Sequence, residues 1–354
     1  MSSDLPLWAH PDFPEFYCND AVIMPLEQQL IQSCALLQQS RPIEMTEILK
    51  VEEVYYNSII EGVELDRASI RSSLNLNLSK PSAHEKEEGA SRLLNCIIES
   101  RHQPLTHDLI CEMNVVALAG HSDPLIQEQS GQYVGDMLIV RGGRIDQTYV
   151  EDTGVPQEQV HAAMTQFIRW FNTRDRTRPF TNAVQGHLHF EKIHPFADGN
   201  GRVGRALMNM GLMQDLQLGV PLALSKAIHQ SRQTYYDSFT LDTLDLTETL
   251  RALHFMLKSA VTETHKILQF TLLRQQCHTH SLNPRQLKAM EKLLTIMIQD
   301  TFKGKLTNVK YRKLVGNVTD KTAQRDLNEL VAFGLLEKHG ERKGTHYICK
   351  GMEL

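Results

Sequence analysis

The sequence predicts a mainly α protein built from two or three folded units, and three observations carry that prediction. Apolar residues recur at helical spacing over most of the chain, extended runs are confined to two short glycine-centred pairs, and 354 residues is too long for one core to serve. Hydrophobic residues make up 41% and the formal net charge is −5, values of an ordinary globular composition. No apolar run approaches the roughly 20 residues needed to span a bilayer. The opening residues Met1-Ser2-Ser3-Asp4-Leu5-Pro6 lack the charged-then-apolar layout of a signal peptide. Six cysteines, at 18, 34, 96, 111, 277 and 349, have no paired spacing, which implies a reducing, cytoplasmic setting.

Taken in order, the first strong element is a helix from Thr46, a candidate N-cap, through Ile48, Leu49, Val54, Tyr55 and Ile59 to Glu61, with Gly62 at the C-cap. The stretch Lys80 to Gly89, with Pro81 and a run of charges, reads as a loop between this N-terminal region and the central part of the chain. Gly131-Gln132-Tyr133, then Met137–Val140, Gly142-Gly143 and Gln147–Val150 read as a β-hairpin flap. Val155–Asn172 and Ala183–Ile193 are amphipathic helices, with Met164, Phe167, Ile168 and Phe171 as core. His187 and His189 read as structural, since a two-histidine metal site needs another spacing and a third ligand. After a further helical stretch, Ser225 to Phe239 contains the paired rings Tyr235 and Tyr236. Cys277-His278-Thr279-His280 falls in an expected linker and reads as no site.

From His194 to Arg205 the chain reads His-Pro-Phe-Ala-Asp-Gly-Asn-Gly-Arg-Val-Gly-Arg. Twelve residues hold a proton acceptor, a metal-binding carboxylate, a glycine-rich turn and two guanidiniums. Asp198 to Gly201 disfavours helix and allows the backbone in which successive N–H groups converge on an anion. From Arg202 onward Val203, Ala206, Leu207 and Met210 are spaced for a helix, so the turn leads into a helix N-terminus suited to phosphate. This is not a P-loop, because no Gly-Lys-Ser/Thr stands at the required offset. Phe196 reads as the anchor that fixes the loop in the core.

The pattern His-x-Phe-x-Asp-Gly-Asn-Gly-Arg-x-x-Arg resembles the defining motif of the Fic family of protein AMP-transferases, with every defining position filled. The resemblance implies a Fic-type helical bundle with a β-hairpin flap, ATP as substrate, Mg2+ as the ion, and transfer of AMP to a Ser, Thr or Tyr hydroxyl of a target protein or of the chain itself. His194 becomes the catalytic base and Asp198 the Mg2+ carboxylate. Gly199, Asn200 and Gly201 form the anion nest, and Arg202 and Arg205, three apart, face the phosphates. Nucleotide contacts then run from Asp198 through Arg202, Val203, Gly204 and Arg205, with Tyr235 and Tyr236 toward the nucleoside. The flap, residues 137–150, docks the target by strand addition. Asn57-Ser58-Ile59-Ile60-Glu61-Gly62 resembles the family's inhibitory motif, in which a glutamate pairs with the second motif arginine, so Glu61 is expected on Arg205. Asn57 departs from the Ser or Thr of that pattern. Removal of AMP from a modified target is the alternative activity.

The C-terminal stretch orders a helix from Pro284 to near Asp300, helices at Thr307–Leu314 and Thr319–Phe333, and a hairpin over Lys338–Ile348. This order, with Thr322 to Leu336, resembles winged helix-turn-helix modules. Residues 284–354 carry 14 Lys and Arg against 8 Asp and Glu, a balance that suits DNA, although winged helices also serve as protein-docking or dimerising modules and both partners stay open. The expected domains are therefore 1–95 with the inhibitory helix 46–62, a catalytic domain at 96–275, and a winged-helix domain at 284–354. Two functions are open: an adenylyltransferase restrained by Glu61, or a DNA-binding regulator whose nucleotide site senses ligand without turnover. No membrane partner is expected, and a homodimer is left open.

Overall fold

The computed structural model describes residues 6–39, 43–74, 85–141, 149–239, 243–298, 305–316 and 318–350. Their order begins α1 (Asp20–Gln39), α2 (Ile43–Ile60), α3 (Arg67–Ser73), α4 (Glu85–Glu99), α5 (His107–Ala117), α6 (Pro124–Glu128), β1 (Leu138–Arg141) and β2 (Tyr149–Thr153). It continues with α7 (Gln157–Thr173), α8 (Pro179–Ile193), α9 (Asn200–Asp215), α10 (Leu224–Gln230), α11 (Arg232–Ser238) and α12 (Thr247–Thr279). The last elements are α13 (Pro284–Ile298), α14 (Asn308–Val315), α15 (Asp320–Ala332), β3 (Leu336–His339) and β4 (His346–Cys349). The chain is mainly α, as its periodicity predicts. Among the described residues no helix is long and apolar enough to cross a membrane.

Two compact units divide the chain, residues 1–41 with 46–263, and residues 42–45 with 264–354. The N-terminal helices thus share one unit with the motif, and the division falls inside α12 rather than in the expected linker at 276–283. In the first unit the core gathers Met164, Phe167, Phe190, Phe196, Val203 and Met210, all buried. Four of these flank the motif or lie in it, so burial of α8 and α9 itself fixes the loop between them. The start of α8 is held from outside. Arg178 supplies no side-chain cap, and instead Glu27 of α1, 3% exposed, accepts from Phe180 N at 2.8 Å, Thr181 N at 2.9 Å and Thr181 Oγ1 at 2.7 Å. A carboxylate there satisfies donors that the helix leaves open and complements the positive end of its dipole.

The flap is an antiparallel pair, Leu138 opposite Thr153 and Arg141 opposite Tyr149, with an irregularity between Ile139 and Val140. In the second unit β3 and β4 pair with Leu336 opposite Cys349 and His339 opposite His346. Leu306 bridges to Tyr347 as a third, one-residue strand. Its core holds Tyr311, Leu327, Leu330, Leu335 and Tyr347. Asp326, fully buried, accepts from Tyr311 Oη at 3.0 Å, Arg285 Nε at 3.2 Å and Asn283 Nδ2 at 3.2 Å, tying α13, α14 and α15 together.

Several boundaries differ from expectation, for identifiable reasons. α2 begins at Ile43, before Thr46, with Met45 buried in its first turn; it ends at Ile60, so Glu61 lies in the turn that follows, with Gly62 at φ 76°. α4 begins at Glu85, so the charges after Pro81 are helical and Gly89 lies within the helix; residues 80–84 lie outside the described residues. The strands of the flap lie slightly later than expected, and Gly142, Gly143 and Gln147 lie outside the described residues. The expected linker at Cys277 is the end of α12: Phe270, Leu273 and Cys277 keep one helical face, and all three are buried.

Replacing Glu27 by Ala leaves two buried N–H groups of α8 without an acceptor. Denaturant unfolding of the full chain is expected to show a loss of roughly 2–4 kcal/mol, with Glu27→Gln recovering part of it.

Candidate active site

The C-cap of α8 is His194, at φ 50° and ψ 59°. A left-handed conformation is uncommon for a residue with a side chain, and it persists only where the surroundings dictate it. Those surroundings are the two ends of the flap. Val155 N donates to Ile193 O at 3.0 Å and Val134 N to Pro195 O at 2.7 Å, so the carbonyls of the two residues that flank His194 are both clamped. Gly154 makes the approach possible, since a Cβ there would stand 2.9 Å from Ile193 O and 3.0 Å from His194 Cβ. The imidazole Nδ1 lies 3.2 Å from the carbonyl oxygen of Glu191. A carbonyl only accepts, so this contact assigns the proton to Nδ1 and leaves Nε2 as the basic nitrogen.

Gly199, at φ 84°, is the N-cap of α9. Helix therefore begins at Asn200, two residues before the expected Arg202. The turn is buckled by two asparagines. Asn200 accepts from Phe196 N at 3.1 Å and donates to Phe196 O at 2.8 Å, while buried Asn114 of α5 donates to Asp198 O at 2.8 Å and accepts from Gly131 N at 2.9 Å. Phe196, 1% exposed, is the core anchor that the sequence suggests. The side chain of Asn200 thus shapes the loop, and an anion at this position meets backbone N–H groups of the first helical turn.

Asp198 is 42% exposed at its side chain, with Oδ2 3.3 Å from His121 Nε2 and 3.4 Å from Arg202 Nη2. Among the described residues no group of three or more His, Cys, Asp or Glu converges on a metal position. A single accessible carboxylate fits Mg2+, which is usually held by one or two carboxylates together with phosphate oxygens and water.

The two arginines expected on the phosphates have different partners. Arg202 donates from Nη1 to Ala117 O at 2.5 Å and contacts Asp198. Arg205, 2% exposed, donates from Nη2 to Glu61 Oε1 at 2.6 Å and from Nε to Asn57 Oδ1 at 2.7 Å. Asn57 therefore fills its place with an acceptor for the same guanidinium, whereas Ser58 turns back on its own helix, donating to Val54 O at 3.0 Å. Burial acts to raise the Glu61 carboxyl, but the charge and hydrogen bond of Arg205 outweigh it and hold the group below the usual carboxylate range. The carboxylate lies over Gly201, where an added Cβ would stand 3.0 Å from Glu61 Oε1 and 3.1 Å from Arg205 Nη1. Glu61 thus occupies the mouth of the α9 turn.

Val203 and Tyr235 are buried, so the side chain of neither is open to solvent. The Tyr235 hydroxyl bonds His187 Nε2, and its ring stacks on the His187 imidazole at 5.7 Å. Burial, and then the charge of Arg205, push His187 down to about 3, keeping it neutral as a structural histidine should be; burial does the same to His189. The bare Cα of Gly204 is what admits the His187 ring, whose Nδ1 would lie 2.6 Å from an added Cβ. Tyr236 is the ring of the pair that is half-buried rather than enclosed.

Sequence reasoning missed Glu191. Its Oε1 is buried without a hydrogen-bond partner, and its Oε2 lies 3.6 Å from His194 Nδ1. Burial pushes this carboxyl up to about 7, with Arg205 pulling it down and Glu61 pushing it further up. Its place three residues before His194, on the last turn of α8, is the signal that could have found it.

Residues 104–212, which hold this turn and the helices on either side of it, match the Fic/DOC family. The protein adenylyltransferase fic-1 of Caenorhabditis elegans is 29% identical over 198 residues, 52% of this chain and 35% of that protein. The protein adenylyltransferase Fic of Nematostella vectensis is 28% identical over 196 residues, 52% of this chain and 42% of its own length. The chain therefore spans well under half of these curated relatives. A Fic family protein from Desulfovibrio desulfuricans G20 shares the fold over 96% of this chain and 99% of its own, with a TM-score of 0.56 at 18% identity. Glu61, Tyr235 and Tyr236 lie outside the family segment, so their roles rest on geometry.

Removing Glu61 takes away a charge that raises the Glu191 carboxyl and releases the guanidinium that lowers it. A carboxyl titration of Glu61→Gly by ¹³C NMR is expected to find Glu191 below its value of about 7 in the parent chain. A carboxyl raised on folding stabilises the fold at low pH and loses that contribution as pH rises through about 7, so Glu61→Gly also flattens this part of the stability profile.

Proposed function

We propose that this protein is an adenylyltransferase that moves AMP from ATP to a serine, threonine or tyrosine hydroxyl of a protein target, and that Glu61 restrains it. The observation that carries the reading is the shared guanidinium: Arg205, at the end of the phosphate turn, is already held by Glu61 at 2.6 Å.

The chemistry is set by the groups in place. The target hydroxyl gives its proton to His194 Nε2, and its oxygen forms a bond to the α-phosphorus of ATP. The bond between that phosphorus and the bridging oxygen to the β-phosphate breaks, and pyrophosphate leaves with the electron pair. A positioned base of this kind contributes roughly 10²- to 10⁴-fold in rate. The first turn of α9 presents N–H groups to the phosphates, and Arg205 adds a forked donor once free. Asp198 would hold Mg2+, which supplies neutralisation of phosphate charge when bound. The flap that clamps His194 supplies the strand edge of β1 and β2, on which an extended target segment can pair through main-chain hydrogen bonds.

Restraint has a simple origin. With Nη2 on Glu61 and Nε on Asn57, the guanidinium cannot turn either of its forked donor pairs to a phosphate without giving up one of these partners. The carboxylate also puts negative charge where the triphosphate must enter, and like charges in a partly desolvated site repel strongly.

Labelled ATP, Mg2+ and cell extract test the reading. Glu61→Gly is expected to label itself or a target at least roughly tenfold more than the parent chain, about what a charge-assisted hydrogen bond of 1.5–3 kcal/mol can withhold. Asn57→Ala should fall between the two, because it removes one of two acceptors on Arg205. Adding His194→Ala to Glu61→Gly should abolish the label. Absence of label in every variant, with ATP binding intact, would favour a nucleotide sensor over an enzyme.

A further inference from the structure

The first unit holds a carboxylate that the chemistry above leaves idle. Glu191 stands on the last turn of α8, three residues before His194, and approaches one imidazole nitrogen twice. Its main-chain oxygen lies 3.2 Å from His194 Nδ1 and its carboxylate Oε2 lies 3.6 Å from the same atom. The carbonyl sets the tautomer. At 3.6 Å the carboxylate is within ion-pair reach of the ring and too far for an ordinary hydrogen bond, so at rest it contributes charge beside the imidazole.

Stability does not account for that placement. An acidic side chain on the last turn of a helix faces the negative end of the dipole, and Glu191 Oε1 is buried without a hydrogen-bond partner, an arrangement that costs free energy. Room for the carboxylate comes from Gly204 of α9, where an added Cβ would stand 2.9 Å from Oε1. Few charged or titratable groups surround it. His187, one turn back on α8, has Nδ1 4.0 Å from Oε1 and stays neutral, because burial pushes it down to about 3. Arg205 of α9 attracts the carboxylate, and Glu61, past the end of α2, repels it. Tyr235 of α11, bonded to the far nitrogen of His187, feels its charge as well. The member of this set that changes charge during proton transfer is His194.

We propose that Glu191 is the positioning residue of the base: its carbonyl fixes the proton on Nδ1, and its carboxylate, paired with that N–H, balances the imidazolium formed when Nε2 takes the target's proton. This rests on the adenylyl-transfer reading above. In that step the hydroxyl O–H bond breaks, its electron pair goes into the bond to the α-phosphorus, and the proton stays on His194 Nε2. None passes to the carboxylate. A shortening of the 3.6 Å contact converts it into a charge-assisted hydrogen bond. Burial pushes the Glu191 carboxyl up to about 7, with Arg205 pulling it down and Glu61 pushing it further up. It therefore titrates in the range of an ordinary imidazole, about 6.5, and two groups this close lose their protons as a pair.

Long-range ¹H–¹⁵N NMR of the full chain follows His194 directly, its signal identified by loss in His194→Ala. Glu191→Gln keeps the carbonyl and the shape and removes the charge. It should lower the pKa of His194 by about 1–3 units, the effect of an opposite charge within a few ångströms. Glu191→Asp, which keeps the charge on a shorter arm, should restore part of that shift. In the parent chain His194 should titrate in two steps shared with Glu191; where Glu191→Gln does not fold, two steps support the pairing and a single step overturns it. Activity is read as labelling in the Glu61→Gly background. A Brønsted dependence of about one half turns 1–3 units into a turnover loss of roughly 3- to 30-fold on adding Glu191→Gln. KM for ATP should stay unchanged, and the deficit should shrink toward low pH, where the weaker base remains unprotonated. His194 titrating at the same pH with and without the Glu191 charge, or a labelling deficit equal at every pH, would overturn the proposal. If no variant labels at all, the transfer reading fails by itself and the titration still decides the pairing.

Discussion

Arg205 is a permanent cation enclosed by protein, and much of the first unit is arranged around that fact. A guanidinium 2% exposed cannot rely on water, so the chain must supply acceptors or suffer a desolvation cost of several kcal/mol. It supplies Glu61 Oε1 and Asn57 Oδ1 from α2 and its C-terminal turn. The charge also reaches groups it does not touch: it pushes His187 further down, and pulls Glu53 and Glu191 back toward ionisation against the effect of burial. Any anion that takes Arg205 must therefore replace partners as well as bind.

The same constraint links α2 to the core at a second place. Glu53 of α2, about two turns before the helix ends, is buried; it accepts from Ser225 N at 3.0 Å, Ser225 Oγ at 2.6 Å and Asn209 Nδ2 at 2.7 Å. Those donors sit on α10 and α9. The helix is anchored along its length by Glu53 and only at its end by Glu61, where Gly62 at φ 76° has no neighbour that would meet a Cβ. Displacing the middle of the helix would strand a buried carboxylate, whereas movement of Glu61 and Gly62 beyond buried Ile60 would not.

How much of this was legible in the sequence depended on how locally the chemistry is encoded. The motif was legible because its backbone requirements and its reacting groups lie within twelve consecutive residues, and the left-handed Gly199 and the buried Phe196 are set by that local pattern. Glu61 was expected on Arg205 only through the resemblance of Asn57 to Gly62 to an inhibitory motif, and the departure at Asn57 is itself an acceptor for Arg205. Partners distant in sequence were not legible. Nothing in α1 marks Glu27 as the cap of α8, 153 positions away; nothing near Asn114 announces a bond to Asp198. Tyr235 shows the same limit from the other side, since a ring that reads as a nucleoside contact is enclosed against His187.

Protonation near neutral pH cannot be what separates Glu61 from Arg205. The guanidinium stays charged at any such pH, and the carboxyl is held below the usual range, so the pair keeps its strength above the carboxylate's unfolded pKa and weakens only as pH falls through the lowered folded value. Glu191 and Glu53, both pushed up to about 7 by burial, do titrate in that window, but each gains negative charge as pH rises. Both changes draw on Arg205 in competition with Glu61, and that of Glu191 also repels the Glu61 carboxylate, so they weaken the Glu61–Arg205 pair from the alkaline side and not from the acid side. The two carboxyls differ in what they can then do. Glu53 is already satisfied by three donors and stays where it is, whereas Glu191 has an unpartnered oxygen and lies beside His194. Of the two, Glu191 is the one whose ionisation has an unmet hydrogen-bonding demand, and it makes that demand inside the site whose mouth Glu61 occupies.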